Sequence, residues 1–213
     1  MPALDVDGPS GRLDALLEEG PAPRFAALVC HPHPRLGGTM HNHATYRLAR
    51  SARAAGGASL RFNFRGVGRS AGQYDHGRGE ADDAAAALAF LAARYPGLPR
   101  LACGFSFGAF ASLTAGPRDA GVTGLLLAGV VTTPRDDLPQ RDLGPLRGLA
   151  LPVAVVQAAE DALGPPAEVA RALEGAVGPR RLLVVPGATH LFTEALDALE
   201  AQALEGFRWL HPG

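Results

Sequence analysis

The sequence predicts an α/β fold, with a mostly parallel sheet of about eight strands and helices on both faces. It predicts one domain spanning residues 1–213. Three observations carry this expectation. Short, near-continuous apolar runs recur along the chain, as strands covered on both faces require. Helix-patterned segments separate them, and that alternation implies parallel strands joined by crossover helices. The length of 213 residues suits one domain that buries its core without disulfide or metal staples.

Taken in order, ALDV and RLDALLEE joined by GPSG read as an N-terminal hairpin. FAALVCH (25–31), SLRFNF (59–64), RLACGF (100–105), GLLLAGVV (124–131), LPVAVVQA (151–158) and RRLLVVPG (180–187) read as buried strands. Helices are expected over 43–56, 79–95, 107–117, 165–177 and 192–210. The second has acids in its first turn and Pro96-Gly97 after its end, and the fourth opens on Pro165-Pro166.

Composition narrows the function. The net charge is −1 and no long basic run occurs, so nucleic-acid binding has no electrostatic footprint. No apolar run approaches the roughly 18 residues of a membrane helix. The N-terminus is acidic, without the apolar core of a signal peptide, so a cytoplasmic protein is expected. Cys30 and Cys103 each end an apolar run and read as small buried thiols. Oligomeric state has no signal here.

In such sheets ligands bind outside the carboxyl ends of the strands. RLACGF runs into Gly104-Phe105-Ser106-Phe107-Gly108 and then a helix. That is G-x-S-x-G in its strand–turn–helix context, where a sharp turn exposes the serine oxygen and side chains at the glycines would collide with strand and helix. His190 follows the last strand and is the candidate base. Asp161 follows LPVAVVQA and is the candidate acid that orients the imidazole. Glu160 points elsewhere along that loop on this reading, and Asp136 and Asp137 are the less favoured alternative one strand earlier.

HPHPRLGGTM (31–40), RFNFRGVGRSAG (61–72), GFSFGA (104–109), AAEDALGPP (158–166) and PGATHLF (186–192) together resemble the small lidless bacterial α/β-hydrolases of the dienelactone-hydrolase-like set. The resemblance spans nearly the whole chain and implies the α/β-hydrolase fold with a Ser–His–Asp triad. Dienelactone hydrolases proper use a cysteine nucleophile, where this chain has Ser106. Relatives often carry glycine where Ala158 begins the acid loop.

Acyl transfer needs donors for a developing oxyanion. The Phe107 N–H is one candidate, and the loop after FAALVCH should supply the other. Pro32 and Pro34 carry no N–H, which leaves His33, Arg35, Leu36 and Gly37. The likeness to His-Gly in relatives favours His33, with Leu36 next. Arg35 and Leu36 are also candidates for substrate contact, Arg35 towards an acidic group.

Two rival readings concern the same motifs. His31, His33, His41 and His43 have H-x-H spacing that permits a metal, yet no nearby carboxylate completes a hydrolytic set, and Asn42 reads instead as a helix cap. Gly66, Gly68 and Gly72 follow a strand like a dinucleotide fingerprint, but no helix opens immediately. Turn geometry and hydrogen bonding behind the active-site loops is the expected role of Arg65 and these glycines. The segment Thr132–Leu149, where larger relatives insert a lid, is short and polar, so an open site for small acyl groups is expected.

The sequence therefore predicts a serine hydrolase of small carboxylic esters with no metal or organic cofactor and a small-molecule acyl ester as substrate. Thioesterase and peptidase share the machinery. A non-catalytic module of the same fold is the rival from another class.

Overall fold

The computed structural model describes residues 4–133 and 143–212. Among these residues eight strands form one sheet: β1 (Leu4–Gly8), β2 (Gly11–Glu18), β3 (Ala26–Cys30), β4 (Ala58–Phe62), β5 (Arg100–Phe105), β6 (Val122–Ala128), β7 (Val153–Ala158) and β8 (Arg180–Val185). Their order is β1-β2-β4-β3-β5-β6-β7-β8. The β1–β2 and β2–β4 pairs are antiparallel and every other pair is parallel. β3 and β5 are buried along their length apart from half-buried Arg100, as central parallel strands must be.

Among the described residues five helices cover the sheet: α1 (His43–Ala54), α2 (Arg78–Arg94), α3 (Phe107–Ala115), α4 (Pro166–Leu173) and α5 (Leu196–Leu210). One apolar layer joins the sheet to α1 and α5, with Leu48, Phe105, Phe192 and Phe207 among its members. The other joins it to α2, α3 and α4 through Leu88, Leu113, Leu127 and Val169. Asn42 caps α1 by accepting from the Thr45 N–H at 3.2 Å.

α1 and α3 end two residues early, and two helices fall short of their expected ranges by more. α5 starts at Leu196 rather than near residue 192, because Phe192 takes a left-handed φ of 56° and the Glu194 side chain accepts from the Thr189 N–H. These bonds make 189–195 a separate turn. α4 ends at Leu173, where the Val177 and Gly178 N–H groups turn back to the Leu149 carbonyl.

Register aligns the carboxyl ends. Cys30 lies beside Gly104, Phe105 beside Ala128, and Ala158 beside Val185. The loops that follow β3, β5, β7 and β8 therefore meet on one side of the sheet. Among the described residues, the path from β6 to β7 contains a short 3-10 turn, Gly144–Leu146, and no inserted helix. Asp136 and Asp137 lie outside the described residues.

Candidate active site

Ser106 sits between β5 and α3 with φ 55° and ψ −113°, a backbone region that strains a non-glycine residue by roughly 1–3 kcal/mol. Its surroundings hold it there. A Cβ on Gly104 would lie 2.2 Å from the Gly108 backbone, and one on Gly108 would lie 2.2 Å from the Cys30 carbonyl oxygen. Both glycines are thus demanded by close approach, of strand to helix and of helix to the loop after β3. The Ser106 N–H donates to the Ala128 carbonyl at 2.8 Å, and its own carbonyl accepts from the Ala109 N–H. Strand and helix together fix the turn.

His190 follows β8. Its Nε2 is 3.0 Å from Ser106 Oγ, and its Nδ1 is 2.8 Å from Asp161 Oδ2. Asp161 is buried, and both carboxylate oxygens are satisfied. Oδ1 accepts from the Leu163 and Gly164 N–H groups, and Oδ2 also accepts from Gln157 Nε2 at 2.8 Å. An acceptor-only carboxylate on Nδ1 places the proton there and turns the Nε2 lone pair to Ser106. Glu160 follows the other branch of the turn, its N–H donating to the Ala188 carbonyl and its side chain exposed.

Gln157 is a site residue that the sequence reading missed. It is fully buried in β7. Its Oε1 accepts from the Val130 N–H, and its Nε2 donates to Asp161 and to the Gly164 carbonyl. A single amide in the otherwise apolar VAVVQA was the available signal, since buried polar side chains are held by partners.

The loop after β3 lies against the first turn of α3. The His33 ring is 5.0 Å from that of Phe107, and its Nε2 is 3.1 Å from the Tyr74 hydroxyl. The Arg35 N–H donates to His33 Nδ1, and the Leu36 N–H donates to the His33 carbonyl at 3.0 Å. Leu36, the second candidate for an oxyanion donor, is corrected by this turn, because its N–H is already engaged with the His33 carbonyl. Arg35 is corrected as well. Its guanidinium extends to 6.0 Å from the Tyr74 ring centroid, and it is absent from the cavity wall.

A cavity of about 670 Å³ opens over Ser106 and His190. Leu36 and Leu191 form exposed parts of its wall, while Ala109, Leu113, Leu127 and Val130 line it from buried positions. Glu160 is the one carboxylate among the described lining residues.

The remaining histidines of the opening motif are divided. His31 is buried and has both ring nitrogens on backbone groups, Nε2 accepting from the Phe64 N–H and Nδ1 facing the Pro32 carbonyl. His41 and His43 border a separate shallow cleft with Tyr46 and Arg61. Among the described residues no group of three or more His, Cys, Asp or Glu is placed to hold a metal ion. Burial pushes the Cys30 thiol up to about 12 and raises that of Cys103 also, so neither presents a thiolate near neutrality. Gly66, Gly68 and Gly72 all adopt positive φ in a turn, and Arg65 beside them binds Asp83 of α2. α2 starts only at Arg78. No helix among the described residues is long and apolar enough to cross a membrane.

Comparison with known proteins places these features. The model of the family described as serine aminopeptidase, S33 (Hydrolase_4) matches residues 23–148, a span that holds Ser106 and ends before Asp161 and His190. An uncharacterized protein of Rickettsia prowazekii, RP471, is 33% identical over 165 residues, 76% of this chain and 68% of its own. An alpha-beta serine hydrolase homologue from Coxiella burnetii superposes with a TM-score of 0.86 at 30% identity, covering 96% of both chains. XC6422 from Xanthomonas campestris, a serine hydrolase without a lid, gives 0.84 at 33% identity, over 100% of this chain and 95% of the other. The chain belongs to the serine aminopeptidase, S33 family and is a small lidless α/β serine hydrolase.

Proposed function

We propose that the protein hydrolyses carboxylic esters through an acyl-enzyme, with Ser106 as nucleophile, His190 as base and then acid, and Asp161 as the group that orients His190. The series of contacts Ser106 Oγ–His190 Nε2 at 3.0 Å and His190 Nδ1–Asp161 Oδ2 at 2.8 Å carries this reading. Ser106 Oγ attacks the carbonyl carbon while its proton passes to His190 Nε2. The tetrahedral oxyanion meets the N–H of Phe107, at the positive end of α3, and that of His33. Collapse breaks the bond to the leaving alkoxide, which takes the proton from His190. Water then repeats the sequence on the acyl-enzyme and releases the acid. No metal or organic cofactor has a part in these steps.

The test is a fluorophosphonate probe. Labelling should occur on the wild type and vanish in Ser106→Ala, with ester turnover falling by about six orders of magnitude in kcat. A folded protein that neither labels nor turns over ester is a non-catalytic module.

Glu160 favours a second reading, an aminopeptidase. A carboxylate on the cavity wall suits the ammonium of a free N-terminus. On that reading aminoacyl p-nitroanilides are hydrolysed, and Glu160→Gln lowers kcat/KM for them by roughly two- to fivefold, as expected for an exposed ion pair, while neutral esters are unaffected. Activity confined to neutral esters excludes it.

A further inference from the structure

The cavity runs in a direction that α3 sets. Ser106 immediately precedes the helix, and Ala109, Phe110 and Leu113 follow it by three, four and seven positions. That spacing puts them on the face of the helix shared with the nucleophile. With a rise of 1.5 Å per residue, the stripe extends the cavity wall about 10 Å from Ser106. Leu127 and Val130, at and beyond the end of β6, form the opposite wall, and Leu143 and Leu163 also line the cavity. Ala109, Leu113, Leu127 and Val130 are each at most 4% exposed and yet line it, so the inner part of this arm is buried, while Phe110, Leu143 and Leu163 are half-buried. Its described side chains are all apolar. Polar lining is found elsewhere in the cavity, with Glu160 and Thr189 on the loops after β7 and β8 beside His190, and His33 and Asn42 on the side of the loop after β3.

We propose that the α3–β6 arm is the acyl subsite and selects linear aliphatic acyl groups of about six to ten carbons. This rests on the ester-hydrolase reading above and specifies its substrate class. A zigzag chain advances about 1.3 Å per C–C bond of about 1.5 Å, so about eight carbons span the arm. The carbonyl carbon on Ser106 Oγ directs the chain along the helix, and the leaving alcohol departs past Glu160 and Leu191. Such groups are longer than the small acyl groups expected from the short segment after β6. Depth here comes from the small side chain of Ala109 and from the buried apolar residues of α3 and β6 that line the cavity, neither of which needs a lid.

The experiment is a series of p-nitrophenyl esters from acetate to dodecanoate. In the wild type kcat/KM should rise with each methylene, by up to about fourfold, and level off near eight to ten carbons. Ala109→Leu narrows the arm and should shift the optimum to shorter chains. Phe110→Ala widens it and should shift the optimum to longer ones, so the inference remains testable if the first variant does not fold. An optimum at acetate or butyrate in the wild type, or an unchanged profile in both folded variants, overturns it. Fluorophosphonate labelling separates the two readings. An acetate optimum with labelling intact overturns the acyl assignment alone. Absence of both turnover and labelling overturns the ester-hydrolase reading beneath it.

Discussion

Gln157 connects the acid to the end of β6. Its side-chain amide donates to Asp161 Oδ2 while its carbonyl accepts from the Val130 N–H, so the carboxylate facing His190 is held from behind by a buried group. A hydrogen bond to a charged partner contributes about 1.5–3 kcal/mol, which predicts that Gln157→Leu lowers kcat by roughly 10- to 100-fold with KM little changed. The acid limb of the pH–rate profile should move with it, because the interaction of Asp161 with the imidazolium changes. A variant that is merely less stable, with wild-type kcat and pH profile per folded molecule, would show Gln157 to be structural only. Ser106, Asp161 and His190 were legible because each stands at the carboxyl end of an apolar strand, where chain order and topology determine which side chains can meet. Gln157 was not, nor was the place of Glu160 on the cavity wall. One is internal to a strand and the other adjoins the acid that was chosen, and local pattern does not say where an exposed loop carboxylate comes to lie. Arg35 illustrates the converse. A loop arginine suggests an acidic substrate, but the turn at His33 carries it to the Tyr74 ring.

Arg65 and Asp83 act at the scale of the element, joining the turn after β4 to α2. Asp83 accepts from the Arg65 backbone N–H, Nε and Nη2, and the pair is nearly excluded from solvent. Removing one partner of a buried pair leaves an uncompensated charge, which costs about 3–5 kcal/mol. Asp83→Ala should therefore lower the melting temperature by roughly 6–20 °C in a domain of this size, as thermal unfolding by circular dichroism will show. A fall of less than 2 °C would mean that the turn is held by its other bonds. The sequence indicated that Arg65 would hydrogen-bond behind the site, but its partner is 18 residues away across a tertiary contact, beyond the reach of local pattern. Strand positions were readable to within three residues, since apolar runs mark burial directly. Helix ends were less so. The start of α5 depends on a left-handed Phe192 and on the Glu194–Thr189 bond, neither of which has a periodic signature.

At the scale of the whole molecule, alternation of strands and helices predicted a parallel sheet with an N-terminal hairpin, but not that β3 would lie between β4 and β5. That placement decides which loops face Ser106, and it surrounds His31 at the end of β3 with protein. Burial, the dominant effect, lowers the pKa of His31 to about 4, and the neutral ring accepts the Phe64 N–H. The unfolded chain returns the imidazole to its ordinary value near 6.5. Between these values the unfolded state binds the extra proton, so folding stability rises with pH across the window and is lost as pH falls from about 6.5 towards 4. The difference amounts to about 3 kcal/mol from this group. His211, whose pKa is also lowered by burial, acts in the same direction. Asp14 and Asp119 are lowered from 3.8 and lose their contributions only at still lower pH, which keeps the histidine window distinct. Urea midpoints should therefore fall steadily between pH 7 and pH 5, and His31→Gln, which keeps a neutral acceptor near the Phe64 N–H, should flatten that slope. A midpoint independent of pH over this range would mean that the loop opens to solvate His31 without unfolding. Ester turnover would then fail at low pH before the fold does, because this is the loop that carries His33 against α3.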